Sequence, residues 1–149
     1  MTPEQTLQVK SLVDRSDVFN YVVDHLRRQG KQSRGHRSWR PGAVPYAGVI
    51  CAYRGDEGAM CAIGALITDD EYDPSWEGIS VAHLLGGAGA VNAPPDSLLE
   101  RLTPHEEMLI ELQRFHDSLL SLPDAFEHGR FSESVEEFLL YLREDWDIQ

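Results

Sequence analysis

Residues 51–78, CAYRGDEGAMCAIGALITDDEYDPSWEG, hold both cysteines of the chain and its densest acidic cluster. How this stretch folds decides the fold class. Residues 49–53 form a short β-prone run, and RGDEG at 54–58 carries turn chemistry. Beyond the turn two readings compete. A strand returning over 59–63 sets Cys51 and Cys61 across a hairpin, with their side chains on one face. A helix over 61–67 sets Cys61 at a helix N-terminus, where unpaired amides favour a thiolate. The Ala- and Leu-rich run CAIGALI favours the helix, and Gly64 inside it predicts close approach by another backbone.

Outward from this stretch, 149 residues with 42% apolar content predict one domain over 1–149. No apolar run approaches the ~20 residues that span a bilayer. The polar start MTPEQTLQVK is unlike a signal peptide. The expectation is a soluble cytosolic protein, with no membrane partner and with both cysteines as thiols.

Charge is unevenly placed. Arg27, Arg28, Lys31, Arg34, Arg37, Arg40 and Arg54 fall in a stretch without acids, so in a chain of net charge −12 the remainder carries −19. That field repels phosphates and argues against general nucleic-acid binding. It suits a partner protein with a basic surface, including one whose nucleic-acid site a carboxylate-rich mimic would fill; the bland alternative is simple solubility.

Thr2, Pro3 and Gln5 form a helix start. Leu7, Leu12, Val13, Val18, Phe19, Val22, Val23 and Leu26 then recur at helical steps up to Gly30, with a second cap available at Ser16 and Asp17. His25 lies beside this stripe. Residues 31–47 read as an exposed basic loop, and 86–96 as a flexible one. Ser80 can cap a short apolar segment, and Thr103–Pro104–His105–Glu106 reads as a capping box before a helix with stripe Met108, Leu112, Phe115 and Leu119. A last helix opens after Ser132 on Val135, Phe138, Leu139 and Leu142, and an acidic tail covers 144–149.

Cys51-x-Tyr53-Arg54-Gly55, then Cys61-Ala62-x-Gly64-x-Leu66-Ile67-x-Asp69-x-x-Tyr72 and Glu77-Gly78, resembles a motif of a family of small uncharacterised proteins from tailed phages and prophages. Leu112-Gln113-x-x-His116-Asp117 resembles a second motif of that family. The matches span roughly the middle half of the chain, with Thr68 where the family has proline. The resemblance implies origin in a mobile element and no particular reaction.

The residues leave three chemistries open. Cys61 as a nucleophile with His116 or His36 as base is one; Asp117, the direct neighbour of His116 on a helix, is a poor orienter for it. The bland reading buries Cys61 in the core and has His116 bond a backbone carbonyl of the 51–78 segment. Arg54 with Tyr53 and the basic loop, which carries Arg34, His36, Arg37, Trp39 and Arg40, offers a site for a small phosphorylated ligand. Glu133, Glu136, Glu137, Asp145, Trp146 and Asp147 offer a docking surface. Metal is not expected: Cys51 and Cys61 are too far apart in sequence for a zinc knuckle, and the acidic cluster lacks the calcium-loop register. No cofactor is implied.

The sequence therefore predicts a helix-rich α+β domain, three to four amphipathic helices around a short β element and the cysteine-bearing segment. The leading functional expectation is an acidic phage-type accessory protein that binds a host protein and modulates its activity.

Overall fold

A computed structural model describes residues 1–36, 49–86 and 92–149. The fold is α+β and rich in helix, as predicted. Among the described residues no helix is long and apolar enough to cross a membrane.

Helix α1, Pro3–Ser11, starts on the expected capping box, with the Thr2 hydroxyl accepting from Gln5 N–H. The chain breaks at Leu12 and re-enters helix α2, Arg15–Gln29, whose N-cap is Asp14 rather than Ser16 or Asp17. Gly30 ends α2 at φ 66°, and a Cβ there would stand 2.6 Å from the Gly129 carbonyl oxygen. Helix α2 buries Val18, Phe19, Val22, Val23 and Leu26. Leu7 and Val13 do not join that stripe; they stand 71% and 74% exposed, because the break turns α1 away from the phase of α2.

Strand β1, Arg34–His36, pairs antiparallel with β2, Val49–Cys51. The segment expected to be an exposed loop from residue 31 thus begins with buried Gln32 and Ser33 and a strand. Its remainder, residues 37–48 with Arg37, Trp39 and Arg40, lies outside the described residues. So do 87–91 of the second expected loop; in the described part of that loop the Trp76 indole donates to the Asn92 carbonyl at 2.7 Å.

Neither reading of residues 59–67 is correct. The return is a single antiparallel bridge between Arg54 and Met60, followed by one 3₁₀ turn, Gly64–Leu66. The close approach expected at Gly64 is present: a Cβ there would stand 2.0 Å from the Tyr53 carbonyl oxygen, so the position has room for glycine alone. Cys61, Ala62, Ile63, Leu66 and Ile67 enter the core from this segment.

Helix α3, Val81–Leu85, is capped by Ser80 as expected. Helix α4, Asp96–Leu102, starts before the predicted box; Thr103–His105 is a tight turn linking it to α5, Glu106–Ser118. A short turn, Leu119–Ser121, follows α5. The structure has a hairpin, β3 Phe126–Glu127 and β4 Arg130–Phe131, turned by His128 and Gly129 at φ 53° and 73°. Helix α6, Glu133–Asp145, closes the core with Val135, Leu139 and Leu142.

Candidate functional site

The central segment is tied together by one carboxylate. Glu77 accepts from the backbone amides of Tyr53 at 2.8 Å and Arg54 at 3.0 Å, and from the Tyr72 hydroxyl at 2.6 Å. The Tyr53 hydroxyl donates to the Ile79 carbonyl. Burial, then the Glu77 carboxylate, pushes the Tyr72 hydroxyl well above its ordinary range, and burial does the same to Tyr53. Tyr53, Arg54, Tyr72 and Glu77, all part of the quoted motif, therefore close the turn that Gly64 packs against.

Arg54 faces inward to this frame. Its guanidinium donates to Asp69 and to the Ile67 carbonyl and lies 5.1 Å from the Tyr72 ring centroid. Asp69 also takes the N-terminal ammonium of Met1 at 3.1 Å. A phosphate reaching Arg54 would have to displace a carboxylate from it. The other acids of the cluster are similarly engaged: Asp70 with Lys10 at 2.9 Å, and Asp73 with the Ser75 amide at 2.8 Å and the Asn92 side chain at 2.7 Å. Glu71, almost fully buried, holds Arg101, the Thr68 hydroxyl at 2.8 Å and the Ser97 hydroxyl at 3.0 Å.

Cys61 is 1% exposed, and its thiol accepts the Gly64 amide at 3.3 Å. Burial pushes the thiol up to about 12, with the Asp117 and Glu77 charges acting in the same direction. Cys61 lines a cavity of about 230 Å³ with Tyr53, Gln113 and Asp117. A buried thiol raised in this way favours its protonated form at neutral pH, in keeping with the core reading of Cys61.

His116 is fully buried on α5. Its Nε2 accepts the backbone amide of Ser33 at 2.9 Å, and its Nδ1 lies 2.9 Å from Asp117 Oδ1. A donor at Nε2 places the proton on Nδ1, so the ring donates to Asp117. The expectation that Asp117 would orient His116 poorly is overturned: the carboxylate swings back along the helix to reach the ring edge. The backbone partner also differs from the expected carbonyl, being the amide of Ser33. Gln32 completes the lock by donating to the His116 carbonyl at 2.8 Å. Both ring nitrogens are thus occupied, and neither is presented to Cys61. The backbone of His36 lies in β1.

The docking residues divide. Glu136 is not free, since Arg27 grips it through two bonds of 2.9 and 3.0 Å. Trp146 is not a free handle either: its indole donates to Glu111 at 2.7 Å, and Arg15 lies over its ring. The tail folds back, with the Gln149 amide donating to Ser16 at 2.9 Å and Ile148 packed on the core. Glu133, Glu137, Asp145 and Asp147 remain exposed.

Beside them lies a feature the sequence reading missed. Helices α5 and α6 splay around a groove of about 550 Å³ walled by Phe115, Leu119, Leu122, Phe138, Tyr141 and Leu142. Phe138 stacks on Phe115 with centroids 6.0 Å apart, and Tyr141 and Leu140 stand 68% and 64% exposed. Glu111, Arg114 and Asp145 border the groove, and Glu137 and Glu144 adjoin Leu140 and Tyr141. The signal was present in FLLYL, residues 138–142. Five consecutive apolar residues on a helix cover every side of it, so one core-facing stripe cannot bury them all.

Comparison with family models, with curated proteins and with solved structures finds no match.

Proposed function

We propose that this protein is an acidic accessory protein of the phage or prophage type, which binds a host protein with a basic surface and modulates its activity. The observation that carries the reading is the face of α6 beside α5. Phe138 and Tyr141 stay exposed there next to Asp145, and on the adjoining side of α6 Leu140 stays exposed next to Glu137 and Glu144. A contiguous apolar patch rimmed by charge is what interaction surfaces look like, and simple solubility would not leave it uncovered. The central motif supports the same reading by a different route. Its residues are spent on closing a turn, and His116 is held by Ser33, Gln32 and Asp117, which accounts for both without a reaction.

The test compares Glu137→Lys with Asp145→Lys in one variant and Cys61→Ser in another, each used as tagged bait in bacterial lysate with bound proteins quantified by mass spectrometry. The reading expects the charge-reversed bait to lose a bound protein that the wild type and the Cys61→Ser bait retain. Loss with Cys61→Ser and retention with the charge reversals would overturn it in favour of thiol chemistry.

A further inference from the structure

The groove between α5 and α6 narrows what kind of surface the partner presents. We propose, resting on the binding reading above, that it takes the apolar face of a cationic amphipathic helix whose Lys or Arg residues flank two or three bulky apolar side chains. Three observations on the page point there. The groove lies between two helices, and its volume of about 550 Å³ admits a few side chains and not a folded surface. Its walls are aromatic and aliphatic, with Phe138 and Tyr141 giving two flat faces of the kind that anchor a partner. Its surroundings are acidic: Asp145 on the border, Glu137 and Glu144 alongside, with Arg114 the one cation among the residues lining it.

The same charges argue against a second copy of the chain as the occupant. A two-fold contact through α6 would bring each copy's Glu137, Glu144 and Asp145 against their counterparts, in a chain that already carries −12. An acidic helix would meet the same repulsion, and a neutral one would gain nothing from the field. A basic helix gains charge attraction at its flanks while its apolar face leaves water.

The experiment uses the full chain and fluorescein-labelled peptides of Leu and Lys, about 18 residues or five helical turns long, read by anisotropy. One peptide places its leucines on one helical face; a second has the same composition in scrambled order; a third replaces Lys by Glu. The variants are Leu122→Ser with Tyr141→Ser, both exposed and so compatible with folding, and Glu137→Lys with Asp145→Lys; circular dichroism and the unfolding midpoint establish that each is folded. The expected result is binding of the amphipathic cationic peptide about tenfold or more tighter than either control, and loss of about tenfold in each variant. Equal binding of the scrambled cationic peptide, with sensitivity only to the charge reversals, would overturn the helix-in-groove proposal while leaving the acidic-surface reading intact. No binding of any cationic peptide, with a concentration-dependent increase in mass that Tyr141→Ser abolishes, would overturn it in favour of self-association.

Discussion

The backbone amide of Ser33 donates to Nε2 of His116 at 2.9 Å, joining the start of the first β-hairpin to the last turns of α5. Because an amide can only donate, this contact fixes the imidazole with its proton on Nδ1, where Asp117 Oδ1 accepts it at 2.9 Å. The histidine that the sequence offered as a base for Cys61 in this way fastens two parts of the chain together.

Replacing the ring tests the fastening. His116→Leu leaves the Ser33 amide buried without an acceptor, so stability to urea is expected to fall by about 1–3 kcal/mol. Nitrogen NMR of the wild-type ring is expected to show the Nδ1-protonated tautomer. An Nε2-protonated ring would contradict the geometry.

Cys61 is expected to resist alkylation in the folded state at neutral pH, since burial holds its thiol near 12, and to react once urea unfolds the chain. Peptide-resolved mass spectrometry after iodoacetamide distinguishes this from rapid native labelling, which would restore the nucleophile reading.

Gly64→Ala places a Cβ 2.0 Å from the Tyr53 carbonyl oxygen. Backbone on both sides leaves nothing flexible to give, so a loss of about 3 kcal/mol or more is expected, or failure to fold. An urea midpoint within about 1 kcal/mol of wild type would show that the turn relaxes at little cost.

Glu71 links stability to acid. Burial alone would raise its carboxyl, but the bonds from Arg101 and Thr68 outweigh that and hold it below the ordinary 4.5. The unfolded chain then takes up this proton before the folded one does. The stabilisation is complete above about pH 4.5 and is lost as pH falls through the lower folded value. Glu71→Gln is expected to cost about 3 kcal/mol at pH 7, as removal of one partner from a buried pair does. Its urea midpoint should also fall less than that of the wild type between pH 5 and pH 3; parallel curves would mean that Glu71 does not carry the linkage.

What the sequence disclosed and what it hid follow a physical division. Helix α1 begins where Thr2 and Gln5 can cap it and α2 ends at Gly30, because caps are satisfied within a few residues. The close approach at Gly64 was legible for a similar reason, since a glycine in an Ala- and Leu-rich run needs an explanation. The hidden features depend on distant partners. Ser33 is buried because it meets His116 across 83 positions, and Trp146 is taken by Glu111 across 35. Neither periodicity nor composition can see such pairs. The exposed α6 face sits between these cases: FLLYL announced an excess of apolar residues, but only the placement of α5 shows which of them line a groove.

The most direct measurement is site-specific photocrosslinking in bacterial cells, with a photoreactive residue at position 141 on the groove or at position 7 on α1, which is equally exposed but lies outside the groove. The account predicts a discrete adduct with one host protein from position 141, weakened by Glu137→Lys with Asp145→Lys, and none from position 7. The same adducts from both positions, or none from position 141 in cells where the protein is active, would contradict a function exercised through this face.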